Sequence, residues 1–392
     1  MVDDREQVSE SSGVAVELRS RVDRFIRERV MPAEKVLDAG GPVAATTMRD
    51  LRVLAQQEGL WALPLPSELG GGGLSLMEYA QVAEVEGASD HGPAALGSTS
   101  LLDVLMLNRH GRTRIREEYP RRLGTGELQA CYAMTEPDVP GTDPSMTRTR
   151  AVEEADGSWR ISGRKWFTSG AADADLVTVL ARTDRSTDRG GLSLFLVPTG
   201  APGFRVVREL PVLGAGGQSE IELDGVRVPG DHLIGERGSA LAIAGERLQL
   251  GRTLRALRWT GQAQRAFDLM CERVNACTGS RGPLGGHQLV QQHVFESLLA
   301  LRTTRPLVHE AVTRIAAGLD AHVEVGLAKV AAARTLQQVT DAAIQVHGAA
   351  GLGPDTPLPA LFRTGRASRI LDGPDELHIT SVARRALRAY RT

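Results

Sequence analysis

Cysteine and net charge are both scarce in this chain, and each shortage argues against a class of function. The three cysteines, Cys131, Cys271 and Cys277, show no paired spacing, so the sequence holds no disulfide framework. No CxxC pair and no HExxH motif occurs, and no metal is expected. A formal net charge of −2 does not suggest a nucleic-acid or anionic-membrane partner. No apolar run approaches the ~18 residues that a membrane span needs. The opening residues, MVDDREQVSESSG, are acidic and polar, unlike a signal or transit peptide, so a cytoplasmic location is expected.

What is present is an ordinary globular composition, 42% apolar and 24% charged, in 392 residues. That length allows two or three domains and a large core. In the first third, Val14, Leu18, Val22, Phe25 and Ile26 recur at spacings of three and four, which predicts a helix with one apolar face. Ser11 or Ser12 can cap it, and Pro32 is expected just past its end. A second helix runs through Leu51 and Leu54. PSELGGGGLS, Pro66 to Ser75, reads as a flexible turn, because no GK[ST] follows to make it a phosphate loop. Helical pattern resumes at Met77 and continues to about Leu128.

The middle changes character. Trp159 to Trp166, Leu176 to Arg182, Leu192 to Val197, Phe204 to Val207 and Ile221 to Val228 are short apolar runs. Asp156-Gly157, Ser162-Gly163, Gly190-Gly191 and Asp224-Gly225 separate them, which is antiparallel β punctuation. No βαβ alternation appears, so a Rossmann sheet is not expected. From about Ile234 the pattern is helical again. The Ala-rich run Gly326 to Gly348 suits a buried bundle or a subunit interface. No internal repeat is visible.

Two segments point to chemistry. CYAMTEPDVPGTD, Cys131 to Asp143, lies where the helical part meets the β part, and GRKWFTSG, Gly163 to Gly170, follows it. Each reads as a short loop with hydroxyl groups, and the second adds an indole. Hydroxyls and backbone N–H groups can hydrogen-bond the edge of a planar cofactor while Trp covers its face. Turn chemistry explains each segment equally well when taken alone. A third segment, LDGPDELH, Leu371 to His378, carries three carboxylates in five residues. Taken alone it is a helix start, with Pro374 at the first position, Asp372 as a cap, and Asp375 and Glu376 in the first turn.

TEPDVPGTD and KWFTSG resemble the flavin-binding segments of the acyl-CoA dehydrogenase family. RHGRTRIREEYPRRLGTGELQACYAMTEP (Arg109 to Pro137) is similar to the family's run into its β domain, and SEIELDGVRVPGDHLIGERG (Ser219 to Gly238) to its exit. QVHGAAGLGPDTPLPALFRTGRASRILDGPDELH (Gln345 to His378) resembles the C-terminal signature, in the form of members with a DGPDE-type loop. The likeness covers most of the chain. It implies a mainly α fold with a central β domain: an N-terminal helical domain over 1–128, a middle antiparallel β domain over 129–235, and a C-terminal helical bundle over 236–392.

The resemblance also implies FAD and α,β-dehydrogenation of an acyl thioester. In that reaction a carboxylate takes the α-proton and a hydride passes to flavin N5. Asp372 falls at the position of the catalytic carboxylate, with Gly373 beside the substrate; the commoner family base is Glu. Thr135 and Thr142 would contact flavin or its phosphates, Trp166 would lie beside the ring, and Thr168 near N5. Arg281 would reach the FAD of a neighbouring subunit, and Gln345, Gly348 and Ala349 its pyrophosphate or adenine end. AGERLQL, Ala244 to Leu250, resembles the helix from which some members supply their base. Glu246 is therefore the rival base, against a reading as a solvent-facing Glu, and Arg247 a substrate contact. TGSRGPLGGHQLVQQ departs from the family pattern: Leu284-Gly285 replaces a Phe-Gly pair, and the spacer before His287-Gln288 is short, so ready loss of FAD is expected. His347 is read as a packed or hydrogen-bonded residue, and His378 has no assigned role.

The implied partners are an acyl-CoA or acyl-carrier-protein substrate, an electron-transfer flavoprotein as acceptor, and other copies of the chain in a homodimer or homotetramer. Two further readings stand beside this one. A flavin-dependent monooxygenase or oxidase could share the fold, and so could a non-catalytic partner subunit.

Overall fold

The computed structural model describes residues 16–184, 191–280, 282–388 and 390. The expectations that rest on Ser11, Ser12, Val14, Gly190 and Arg281 lie outside these residues. The chain forms two compact units. One comprises Asp38–Gly73 and Leu96–Leu248; the other comprises the described part of Met1–Leu37, Leu74–Ala95 and Gln249–Thr392.

The first of these is built on an eight-stranded sheet. Its strands are β1 (Ala130–Ala133), β2 (Arg150–Glu153), β3 (Trp159–Ser169), β4 (Leu176–Arg182), β5 (Leu192–Pro198), β6 (Phe204–Glu209), β7 (Gln218–Val228) and β8 (Leu233–Ile234). The order is β6-β7-β3-β2-β4-β5-β8, with β1 joined to β4. β4 and β5 are buried along nearly their whole length, as their unbroken apolar runs require of central strands. β3 alternates buried and exposed, and β6 is an edge strand covered with charge, Arg205 and Arg208 facing Glu222 and Glu220 of β7. Trp159 packs on Phe195 inside the core, ring centroids 5.1 Å apart. Short helices Leu101–His110, Thr113–Glu118 and Pro120–Gly124 and the longer Gly41–Gln57 belong to the same unit.

The sheet is mostly antiparallel, as expected, with two parallel contacts that the sequence did not announce. β1 runs parallel to β4, Ala130 opposite Leu176 through Ala133 opposite Val179. β2 also touches β4 in parallel at Arg150 and Arg182. Turn residues announce pairings between consecutive strands; β1 pairs across more than forty intervening residues, and no local signal marks that.

The other unit is helical: Leu76–Glu86, most of Ala240–Ala276, Gln288–Ala316, His322–His347, Leu358–Ser368 and Asp375–Arg388. Ser75 and Glu78 form a reciprocal capping box at the start of Leu76–Glu86. Ala328, Ala332, Ala333, Leu336, Val339 and Ala343 make one buried stripe on His322–His347. Small side chains allow close neighbours there, and Thr304 and Thr335 meet at 2.8 Å inside the bundle. The expected break at Pro32 does not occur. Residues 16–25 are helical, Ile26–Val30 form a π turn, and Met31–Ala39 continue the helix. Proline in a helix lacks a donor and crowds the preceding turn; the wider π turn, with Met31 N–H on the Ile26 carbonyl, accommodates both defects. Among the described residues no helix is long and apolar enough to cross a membrane.

Gly261 sets the spacing of two helices in this unit, since a Cβ there would stand 1.8 Å from the Glu84 carbonyl oxygen. Gly261→Ala is therefore expected to cost roughly 1–3 kcal/mol through forced separation of the backbones. A lowered urea midpoint with an unchanged slope would be the corresponding observation, and an unchanged midpoint would contradict the packing described.

Candidate active site

Thr135 and Trp166 are tied to each other in the sheet unit. The Thr135 hydroxyl donates to the Trp166 carbonyl at 2.7 Å, and the Trp166 N–H donates to the Thr135 carbonyl at 3.0 Å. The two segments flagged in the sequence are thus one structure. Their next residues lock it. The Lys165 ammonium, with no solvent exposure, donates to Glu136 Oε1 at 2.8 Å and to the Met134 carbonyl at 3.0 Å. Glu136 also accepts the backbone N–H groups of Arg148 at 2.6 Å and Thr149 at 2.9 Å. Burial pushes the Lys165 pKa down to about 8, against the pull of Glu136. Burial alone would raise the Glu136 carboxyl; Lys165 and the hydrogen bonds outweigh it and hold the group below the usual carboxylate range.

KWFTSG is not a loop, as first expected, but the end of β3. Between Lys165 and Thr168 the strand gains one residue on β7, since Lys165 faces Ile221 and Thr168 faces Ser219. Phe167 takes φ +48° at this bulge. A bulge re-aims side chains, and here it leaves the Trp166 indole half-buried with Phe167 edge-on at 4.9 Å. Beyond it, the Thr168 hydroxyl is buried and has no hydrogen-bond partner among the described residues. An orphaned buried hydroxyl is costly unless something else supplies its bond. A half-buried indole and that hydroxyl fit a planar heteroaromatic ring with polar edges. Thr142 is exposed on the loop that follows Thr135. Thr135, Val139, Pro140 and Gly141 line a small cleft beside it.

The rival carboxylate, Glu246, is exposed to solvent and has partners. Glu246 accepts from or pairs with His110 Nε2 at 2.9 Å and lies 3.3 Å from Arg109. Arg247 is committed within the protein: it donates to the buried Asp103 carboxylate at 2.8 Å and lies 4.4 Å above the Tyr132 ring. Burial raises the Tyr132 phenol to about 12, against the pull of Arg247.

In the helical unit, Asp372 is not the helix cap expected of it. Asp375–Arg388 begins three residues later, and Asp372 has φ +55° in a turn. Its carboxylate meets Arg255 Nε at 2.5 Å. Its carbonyl accepts from Arg252 Nε at 2.9 Å and lies 3.3 Å from His378 Nε2. Burial and the nearby Arg252 and Lys329 press the His378 pKa down to about 4, so the imidazole is neutral near pH 7. Gly373 follows at φ +101°, where an added Cβ would crowd Leu377 and His378. Asp375 and Glu376 do occupy the first turn. Asp375 is buried among Lys329 at 3.4 Å, Arg334 at 3.3 Å and Arg369 at 2.9 Å. Gln345, Gly348 and Ala349 lie together at the exposed end of His322–His347, and His347 Nδ1 is 2.8 Å from the Ala343 carbonyl. Arg281 lies outside the described residues, after the strand Thr278–Gly279.

Three family models match in series: the acyl-CoA dehydrogenase N-terminal domain over residues 15–127, the middle domain over 131–226 and the C-terminal domain over 238–387. "Probable acyl-CoA dehydrogenase FadE2" of Mycobacterium tuberculosis is 37% identical, over 96% of each chain. The chain belongs to the acyl-CoA dehydrogenase family. Human acyl-CoA dehydrogenase family member 11 is 32% identical over 95% of this chain, which spans 50% of that longer protein. A solved Mycobacterium abscessus protein assigned to the acyl-CoA dehydrogenases superposes with a TM-score of 0.90 at 34% identity, over 96% of this chain and 98% of its own. The FAD complex of PigA shares the fold at 22% identity, with a TM-score of 0.85 over 95% of this chain and 97% of its own. As a family member the protein is an oxidoreductase acting on acyl-CoA, with FAD as its cofactor.

Sequence reasoning passed over Glu136, Lys165, Arg252, Arg255 and Lys329. Lys165 could have been found: counted by twos from Trp159 it falls on the inward face of β3, where a lysine needs a carboxylate. Two outcomes test the site. Lys165→Met and Glu136→Gln should each cost about 3–5 kcal/mol in urea unfolding, while replacing both residues by Met costs less than either single change. Thr168→Val should leave the apoprotein at least as stable as before and weaken FAD about tenfold, near the 1.4 kcal/mol of one hydrogen bond, in a flavin fluorescence titration.

Proposed function

We propose that the protein dehydrogenates the α,β-bond of an acyl thioester with Asp372 as the base that takes the α-proton. The observation that carries this reading is the anchoring of Asp372. Its backbone stands in a left-handed turn held by Arg252 and His378, next to Gly373, and its carboxylate pairs with Arg255 three residues before the following helix begins. Such a carboxylate can hold a proton at its oxygen once the α C–H is presented to it. Bound FAD supplies the acceptor for the β-hydride. Aspartate is one methylene shorter than the commoner glutamate, so the position of the base depends on the turn.

In this reading Thr168, Thr135 and Trp166 hold the flavin ring, and Thr142 lies toward its phosphates. Gln345, Gly348, Ala349 and Arg281 serve the FAD of another copy, which makes the active form a homodimer or homotetramer. Gln345, Gly348 and Ala349 cluster at an exposed helix end, which supports this, since exposed groups are available to a neighbour. Gly373 lies beside the thioester. The structure gives Arg247 a neutralising partner in Asp103, so its part in substrate binding is to shape the site rather than to supply charge. The thioester arm belongs to coenzyme A or to a carrier protein, and reduced flavin passes its electrons to an electron-transfer flavoprotein. The domain boundaries near residues 128 and 235 belong to the same proposal.

Asp372→Asn decides the role of the base. Anaerobic addition of short, branched and long acyl-CoA thioesters to the FAD-loaded wild type should bleach the oxidised flavin band with one class. Asp372→Asn should slow that bleaching at least ~100-fold, the lower end of general-base contributions. Loss of bleaching in Glu246→Gln with retention in Asp372→Asn would move the role to Glu246. Flavin that no thioester reduces, with oxygen uptake when a flavin reductase is supplied, would favour the oxygen-using reading.

A further inference from the structure

We propose that Arg255 is a releasable latch on Asp372, closed in the resting protein and opened when the thioester binds. The inference rests on the reading of Asp372 as the base. Arg252 and Arg255 stand three residues apart on the Ala240–Ala276 helix, so they share a face. Arg252 holds the Asp372 carbonyl and Arg255 its carboxylate, at 2.5 Å. These are separate tasks. A carbonyl contact fixes the backbone and leaves the base untouched. A guanidinium on Oδ2 engages one of the two carboxylate oxygens in a charge-assisted hydrogen bond and so fixes which way the group faces.

The groups facing Asp372 are Arg252 and Arg255 from the Ala240–Ala276 helix, Lys329 from His322–His347, and His378 with Asp375 from Asp375–Arg388. Among the described residues Arg255 binds the carboxylate directly, and its surroundings suit departure. The Arg255 side chain is 39% exposed and the Asp372 side chain 23%. A half-solvated ion pair is held weakly, because water replaces much of what is lost when it opens. Asp375, three residues on, is the contrast. It is buried with Lys329, which has no exposure, and with two arginines, so it cannot part from its cations cheaply. The turn is thus pinned at Asp375 and at the Asp372 carbonyl, while the carboxylate alone is free to change partners. Closed, the latch keeps the charge of the base balanced. Opening it frees the oxygen as the substrate arrives.

A latch that must open on binding opposes binding. Removing it should tighten the complex, and the gain should appear in Kd and KM more than in kcat. The probe is the 3-thia counterpart of whichever acyl-CoA reduces the wild-type flavin, a thioester that binds without being oxidised, titrated by the change in the flavin visible band. Arg255→Gln should bind it two- to tenfold tighter than wild type, and the difference should shrink in 0.5 M NaCl, where a half-exposed pair is screened. Arg255→Lys keeps the cation but not the guanidinium geometry, and should fall between the two. It also serves if Arg255→Gln fails to fold. Weaker binding in Arg255→Gln would make Arg255 a substrate contact. Equal binding with a tenfold loss of kcat would mean that it stays on Asp372 through the reaction. Equal binding and equal kcat would mean that no latch exists. Each of these overturns the proposal while leaving the base assignment intact, whereas undiminished flavin reduction by Asp372→Asn would remove the base assignment itself.

Discussion

An ammonium group without access to water must find a carboxylate, and that constraint organises the sheet unit. Lys165 reaches it on Glu136, and the pair is completed by the Met134 carbonyl and by two backbone N–H groups. Net stabilisation is not what such a pair offers, since removal of two charges from water offsets most of their attraction. What it offers is position. Glu136 follows Thr135 and Lys165 precedes Trp166, so a single allowed geometry for the buried pair also fixes the hydrogen bonds between Thr135 and Trp166. The bulge then follows at Phe167, and the Thr168 hydroxyl arrives without a partner of its own. Rigid polar anchoring on the inside and unsatisfied polarity at the end of the strand are two consequences of one segment.

The helical unit uses charge in the opposite sense around Asp372. There the fixed carboxylate is Asp375, buried with three cations, and the loosely held one is Asp372. Two carboxylates three residues apart therefore differ in every respect that burial controls. One is structural because leaving its partners would expose an unpaired charge to a dry interior. The other, proposed as the base, has an ionic partner that is 39% exposed to water.

The large features of the fold were legible in the sequence because they are local. Unbroken apolar runs announced β4 and β5, and the Ala-rich stripe announced the helix His322–His347. The parallel contact of β1 with β4 was not legible, because its register is decided by distant residues. Pro32 misled because the helix absorbs it with a π turn, and a π turn has no compositional mark. The candidate site was legible mainly through resemblance. Thr135, Trp166 and Thr168 were named as contacts with flavin, but the residues that position them were not, since a buried ion pair joins positions 29 apart.

The segment LDGPDELH shows why resemblance and local reading diverged. Locally, an aspartate before Gly-Pro is a good cap for the helix that follows. A cap needs an extended backbone that points the side chain along the new axis. Asp372 instead takes φ +55°, a conformation that costs a non-glycine residue about 1 kcal/mol or more. The surroundings sustain that cost with two donors on one carbonyl, Arg252 and His378, and with His378 kept neutral by burial. A fold that only needed a helix start would have no use for this arrangement. Strain held in place by dedicated side chains suits the role of base proposed for Asp372, which stands apart from the secondary structure beside it.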